Sequence, residues 1–493
     1  MLLPALGERA DVTAVVDQES AAPMPGVGVI QYREFCERRA EFGAVLAQMG
    51  NNSHHEFIYR DAMANPSTIV LHDLVLHHLI VEMTLARGDD EGYVAELDES
   101  HQRWGAALAR SRVAGYHLEL GNFLFPASIR LAKKSRRVIV HNRYALETLR
   151  AHGVVTPAHL VSHAHSFSRQ ASTMDAARKK RELGFATGDR IIGMFGFVTS
   201  AKRPETVFES FSAALRRDER LRLLVVGEPA PNVRLDELAR RYAIPDDRWR
   251  STGFVGDDEF ESCLASVDAV VNLRYPTAGE TSGALIHILA AGKPVAVNDY
   301  AQFAEYPEGV VTRIPFGELE VDKLTGFMTD ESASSPAASE RRVDWIRKVA
   351  SLEHAVAGYL DALGQAAVQA PAPSLRRTAL PVLPDVALAS IDVDTAGTLA
   401  HVSLALRNEG HSPLHALDYG TPEYRVVAKV FDSTGLLLDR WLAPDGDLDP
   451  GVSRKAVLSF RPGKGRHRFE LIHGIEGVPV VDERPFASGE LEL

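Results

Sequence analysis

Short apolar runs alternate with amphipathic stretches through roughly the first three quarters of the chain. VTAVVDQ at 12–18, GVGVIQY at 26–32, STIVLHD at 67–73, RRVIVHN at 136–142 and HLVSHA at 159–164 predict buried strands. FCERRAEFGAVLAQM, HEFIYRDAMA, a long span from about 74 to 132 and RYALETLRAHG carry helical spacing between them. A charged helical tether, DAARKKRELG at 175–184, leads into a second alternating series. Its predicted strands are IIGMFGF at 191–197, LRLLVVG at 221–227, WRSTGFV at 249–255, AVVNLR at 269–274, PVAVND at 294–299 and GVVTRIP at 309–315. Strands separated by helices imply parallel sheets covered on both faces, so the fold class is α/β with a doubly wound sheet. The helical run 341–363 closes this series.

Beyond it the pattern changes. QAAVQAPAPSLRRTALPVLPD is rich in proline and alanine and reads as a linker over 366–384. From 385 to 493 the period becomes two, with turn-formers such as DPG at 449–451, predicting a small antiparallel β-sandwich. The expected division is therefore 1–169, 170–365, the linker, and 385–493.

Composition narrows the functional classes. A chain of 493 residues exceeds a single hydrophobic core. Its formal net charge of -12 argues against a general nucleic-acid binder. Cys36 and Cys263 are the only cysteines, which leaves no disulfide scaffold or cysteine-based metal site and suits a reducing cytoplasm. There is no run of 18 apolar residues and no secretory-signal pattern at MLLPALGERADV, which reads as the last turns of a helix. G-x-x-x-x-G-K-[ST], G-x-G-x-x-G and HExxH are all absent, so nucleotide hydrolysis on a phosphate loop, hydride transfer and zinc proteolysis are poor fits.

Ligands of open α/β sheets bind beyond the carboxyl ends of strands, so chemistry is sought there. After AVVNLR comes RYPTAGETSG, which contains Glu280, Thr281, Ser282 and Gly283 just ahead of a helix. Two readings fit: Thr281 or Ser282 caps the helix, or free amides and Glu280 receive an anionic or polyhydroxylated ligand. After IIGMFGF come Lys202 and Arg203 ahead of Pro204, either solvated cations or a clamp for a diphosphate. Gly253 ends a third strand and could offer its backbone to a nucleotide base. In the first series, His72 stands at the tip of STIVLHD, and Asn51 and Asn52 precede a helix. His77 and His78 lie in an apolar helix and read as packed or surface residues.

Taken together in order, GNNSHHEFIYRDAM, TIVLHDLVLHH, RRVIVHNRYALETLR, GFVTSAKRPE and RYPTAGETSGALIHILAAGKPVAVND resemble family 4 glycosyltransferases of GT-B architecture. That resemblance implies two Rossmann-like domains facing across a cleft and transfer of a hexose-type sugar, with retention, from a nucleotide diphosphate-sugar to a glycan or lipid-linked acceptor. It implies that Lys202, with Arg203, holds the donor diphosphate, that Glu280 contacts the donor, and that His72 lies near the sugar. Asn51 and Asn52 would line the acceptor side. No essential metal is expected. His287 falls where the family carries a second glutamate, so a ribose contact would be altered. The family's first strand and glycine turn precede the helix at which this sequence begins, so an impaired, non-catalytic sugar-nucleotide binder is the alternative expectation. A sugar-nucleotide epimerase or a phosphorylase ranks third. The segment 385–493 is similar, more weakly, to Ig-like sandwiches of polysaccharide-handling proteins. It would bind glycan or an export or biosynthesis partner, or simply pack against the enzyme; for the whole chain, a cytoplasmic location with peripheral association at the inner membrane is a further expectation.

Overall fold

The computed structural model describes residues 2–18, 23–116, 120–165, 173–317, 319–364, 386–396, 399–409, 424–444, 448–462, 465–475 and 485–492. The expected linker 366–384 lies outside them. They form two compact units, one of residues 1–45, 139–143 and 159–366, the other of 46–138, 144–158 and 367–493.

In chain order the early strands are β1 (Thr13–Val16), β2 (Gly28–Gln31), β3 (Leu46–Met49), β4 (Thr68–Leu71), β5 (Arg137–Val140) and β6 (Ala158–Leu160). β1 and β2 pair in parallel as a two-stranded sheet, Thr13 opposite Gly28. A four-stranded sheet has the order β3-β4-β5-β6. β3 corrects the reading of FCERRAEFGAVLAQM as one helix. The helix Tyr32–Arg38 ends in a short 3-10 turn, and after Gly43 the chain extends into a strand paired to β4. The single helical span from 74 to 132 is likewise a series of pieces. His77–Met83, Asp90–Val113 and Ile129–Lys134 are its main helices, with breaks at Gly88 and Ala127 and a kink within Asp90–Val113 at Gln102, all of positive φ.

The six-stranded sheet uses β7 (Arg190–Phe195), β8 (Leu221–Val226), β9 (Trp249–Ser251), β10 (Ala269–Val271), β11 (Val295–Asn298) and β12 (Thr312–Ile314). Its order is β12-β11-β10-β7-β8-β9, and every pair is parallel. The chain runs outward from β7 to β9, returns to β10 and runs outward on the other side, so the winding reverses between β7 and β10. Such a switch point opens a crevice at the carboxyl ends of those two strands. Both faces are covered: Ile192, Met194, Leu223 and Val225 pack on Phe208 and Phe211, while Ile191, Leu224 and Val226 pack on Leu285, Ile288 and Leu289. That double burial explains why these strands are near-continuous apolar runs.

The carboxyl-terminal region is a sandwich of β13 (Val386–Ala396), β14 (Leu399–Asn408), β15 (Tyr424–Asp432), β16 (Gly435–Leu442), β17 (Ser453–Phe460), β18 (Arg466–Ile475) and β19 (Ala487–Glu492). Sheets β13-β14-β17 and β16-β15-β18-β19 are antiparallel and share a core of Val402, Leu404, Val426, Val430 and Leu458. The His473 ring of β18 stacks on Phe486 and meets Trp104 of the helix Asp90–Val113 at 5.4 Å between centroids. Among the described residues no helix is long and apolar enough to cross a membrane.

Buried imidazoles make this fold acid-sensitive. His101 accepts a hydrogen bond from the Ala127 amide at 3.1 Å through Nε2. Burial, then His152 and His77 beside it, pushes its pKa well below the usual histidine range. Burial likewise holds His152 down to about 4. The unfolded chain takes up protons below pH 6.5 that these folded imidazoles refuse, so stability falls as pH drops from there toward 4. For His152 alone the loss at pH 5 is on the order of 2 kcal/mol. Urea unfolding at pH 7 and pH 5 checks this, and a His101→Asn, His152→Gln variant shows a flatter pH slope.

Candidate functional site

The reversal of winding brings together two loops that lie far apart in sequence. Residues 196–203 follow β7, and 272–282 follow β10. A backbone hydrogen bond from Tyr275 N to Ala201 O, 2.7 Å long, joins them directly. Gly196, at φ 84°, makes room for the first loop: a Cβ there would lie 2.8 Å from Lys202 Nζ. Gly227 at the tip of β8 is equally constrained, since a Cβ would stand 2.4 Å from the Gly196 carbonyl oxygen.

Lys202 is 6% exposed and donates to the Phe195 carbonyl. Burial, followed by the positive charge of Arg274, pushes its ammonium pKa down to about 7, while Glu280 pulls weakly the other way. Arg203 is differently disposed. In a left-handed conformation it caps the helix Pro204–Leu215. Its guanidinium forks onto Glu320, Nη2 to Oε2 at 2.8 Å, and covers the Phe316 ring at 5.0 Å. Glu320 also accepts from Asn298 Nδ2 at 3.3 Å, and Asn298 Oδ1 receives the Arg274 amide at 2.8 Å.

Glu280 is embedded in its own loop. Its Oε2 accepts from Thr277 Oγ1 at 3.0 Å and from the Ala278 amide at 2.9 Å, and its Oε1 lies 3.2 Å from Arg274 Nε. Gln302, 3% exposed, donates to both Thr277 Oγ1 at 2.7 Å and the Glu280 carbonyl at 2.9 Å. Asn142 Nδ2 holds the Gly279 carbonyl at 2.9 Å. Ser282 is the cap of the helix Gly283–Ala290, its Oγ accepting from Leu285 N at 3.2 Å. The amides of Gly283 and Ala284 precede the first intrahelical bond, from Ile286 to Ser282, and point out of the helix start. Thr281 Oγ1 is buried without a hydrogen-bond partner among the described residues.

His287 lies on that helix, its Nδ1 2.7 Å from Glu261 Oε1 and its ring 4.5 Å from that of His165. Burial and the neighbouring His287 lower His165 to about 4. Gly253, at φ 68°, bridges to Gly227, and the next residue, Phe254, is 83% exposed with its amide 3.3 Å from Glu228 Oε2.

The remaining candidates belong to the other unit. His72 follows β4; its Nε2 lies 2.8 Å from Gln48 Oε1 of β3. Asn51 Oδ1 accepts from the Leu79 amide at 3.1 Å, and its own amide donates to Asp73 Oδ2 at 3.0 Å. Asn52 Oδ1 accepts from the His54 amide at 3.0 Å and so caps the turn Ser53–His55. His77 is fully buried between Tyr93 OH and the Phe125 carbonyl, whereas His78 is exposed. Among the described residues no group of three or more His, Cys, Asp or Glu side chains could hold a metal ion.

Sequence reasoning did not assign Arg274, Gln302, Asn298, Glu320, Asn142 or Gln48. Arg274 had a signal, a cation closing AVVNLR at a strand end. The others act across 22 to 137 positions, and nothing local announces them.

Comparison with known proteins bears on the fold. Residues 189–324 match the family model for glycosyl transferases group 1. The fold is similar to that of Anabaena HepE in complex with UDP-glucose, with a TM-score of 0.51, 13% identity, and coverage of 73% of this chain and 94% of that one. The HepE complex with UDP gives a TM-score of 0.50 at 13% identity, over 68% and 85% of the two chains. Sucrose-phosphate synthase from Thermosynechococcus elongatus gives 0.51 at 14% identity, over 73% and 90%. No curated protein matches the chain in sequence. The chain has the GT-B fold with an added antiparallel sandwich, and its residues 189–324 are similar to glycosyl transferases group 1.

The Arg203–Glu320 fork is the strut beneath the first loop. Glu320 is 6% exposed, so deleting it strands a guanidinium without its counter-charge. Glu320→Ala should lower the unfolding free energy by about 3 kcal/mol, and a double variant with Arg203→Ala should recover part of it. Urea denaturation of the three variants measures both effects.

Proposed function

We propose that this chain is a retaining glycosyltransferase that moves a hexose-type sugar from a nucleotide diphosphate-sugar to a hydroxyl of a glycan or lipid-linked acceptor. The observation that carries this reading is the joined pair of loops at the switch point. There Lys202, Arg274, the outward amides of Gly283 and Ala284, and the orphan hydroxyl of Thr281 lie on loops tied by one backbone bond. Cationic side chains and free helix amides match a diphosphate, and a carboxylate beside them matches sugar hydroxyls. UDP and UDP-glucose occupy the similar HepE structures, which supports a uridine donor as the first to try.

In this reaction the bond between the anomeric carbon and the diphosphate oxygen breaks, and the electron pair leaves with the diphosphate. Lys202 and the helix amides stabilise the charge that develops on that leaving group. The acceptor oxygen bonds to the same face of the sugar, and its proton passes to the departing phosphate oxygen, so no enzyme nucleophile is required. Glu280 holds donor hydroxyls and keeps the anomeric carbon aligned. His72 serves the reacting sugar, and Asn51 and Asn52 the acceptor side. Arg203 acts through Glu320 as support for Lys202. Gly253 offers its backbone to the base, and His287, with Glu261, faces the ribose. Residues 1–169 form the acceptor-side part, 170–365 the donor part and 385–493 an accessory sandwich for a glycan-assembly or export partner. The chain works in the cytoplasm, at the inner-membrane surface where its acceptor is lipid-linked.

Release of nucleoside diphosphate from a panel of sugar nucleotides, with and without acceptor glycans, tests the activity. Lys202→Ala should retain the fold and lose roughly a hundredfold or more in turnover, as loss of one transition-state donor does. Undiminished turnover removes Lys202 from the mechanism. The pH dependence follows from the same residue. In the free protein its ammonium deprotonates near 7, and a bound diphosphate favours the charged form. Donor affinity therefore falls as pH rises above about 7 in the native protein, and this decline is absent from Lys202→Met. Calorimetric titration at pH 6.5, 7.5 and 8.5 reads it.

A further inference from the structure

We propose that Arg274 and Glu280 form a self-closing clasp: an ion pair that the donor splits, its diphosphate taking the guanidinium and its sugar hydroxyls taking the carboxylate. This inference rests on the donor-site reading above and adds to it a reason for placing opposite charges side by side in an anion site.

Three features carry it. The pair is loose. Arg274 Nε lies 3.2 Å from Glu280 Oε1 but is not aligned for a hydrogen bond, and the two side chains are 18% and 20% exposed. The contrast is with Arg203, whose guanidinium is locked by two bonds to a buried carboxylate. The pair can also open without moving the backbone. The loop is fixed independently by Arg274 N on Asn298, by Gln302 on Thr277 and on the Glu280 carbonyl, and by Asn142 on the Gly279 carbonyl. Finally, Glu280 stays anchored when its partner leaves, because Thr277 Oγ1 and the Ala278 amide hold its second oxygen. The guanidinium meanwhile sits near enough to Lys202 for its charge to weigh on that ammonium, so one diphosphate can engage both cations.

The clasp makes a prediction of unusual sign. A nucleoside diphosphate without its sugar takes Arg274 from Glu280 and offers the carboxylate nothing in return. Removing the carboxylate charge should therefore help the bare nucleotide and not the sugar nucleotide. Titrations with UDP, GDP and ADP identify the nucleotide that the full-length protein binds, and its glucose conjugate is measured beside it. Glu280→Gln should bind the bare nucleoside diphosphate roughly fivefold more tightly, while the sugar conjugate gains nothing or weakens. Arg274→Gln should weaken the bare nucleotide roughly tenfold. Both variants are compared at matched unfolding temperature, and Arg274→Lys, which keeps the charge, should recover part of the loss. Unchanged or weaker nucleotide binding in a folded Glu280→Gln overturns the clasp, as does unchanged binding in a folded Arg274→Gln. Failure of the native protein to bind any of the three nucleotides overturns the donor-site reading itself.

Discussion

One backbone hydrogen bond, from the Tyr275 amide to the Ala201 carbonyl, fuses two loops more than seventy positions apart into a single surface. It can form only because β7 and β10 are neighbours, and they are neighbours because the winding of the sheet reverses between them. Everything chemical at that edge depends on this adjacency. Without it Lys202 would be an isolated buried ammonium and Arg274 a surface cation.

The site is built from charges placed where charge is expensive, and each is compensated differently. Arg203 is neutralised by Glu320 in a fork that supports the loop. Lys202 is relieved by losing its proton near pH 7. Arg274 is balanced by Glu280 in a contact that a ligand can replace. A low-dielectric edge strengthens each of these interactions and any that a diphosphate makes there. The polar supports, Gln302, Asn298 and Asn142, hold the loop backbone at Glu280, Arg274 and Gly279. They keep the loop in place while its side chains exchange partners.

Much of this was legible in the sequence, for physical reasons. β7, β8, β10 and β11 are buried on both faces, so they read as apolar runs, and their succession with helices implied a doubly wound sheet. Lys202, Glu280 and Ser282 were singled out as candidates because strand ends and helix starts are where such sheets bind ligands. β3 was lost because LAQM follows FCERRAEFGAV, whose apolar spacing suits a helix; only pairing with β4 makes it extended. The span from 74 to 132 looked continuous because Gly88 and Ala127 break it through backbone conformation, which periodicity does not record. Gln302 and Glu320 were invisible because their partners are tens of residues away.

A crystal structure of the full-length chain grown with UDP is the most direct test of the central claim. The diphosphate is expected beyond the carboxyl ends of β7 and β10, within hydrogen-bonding distance of Lys202 Nζ and the Arg274 guanidinium, with the Arg274–Glu280 contact opened. A diphosphate bound at any other edge of the sheet, or one bound there with that ion pair still closed, contradicts it.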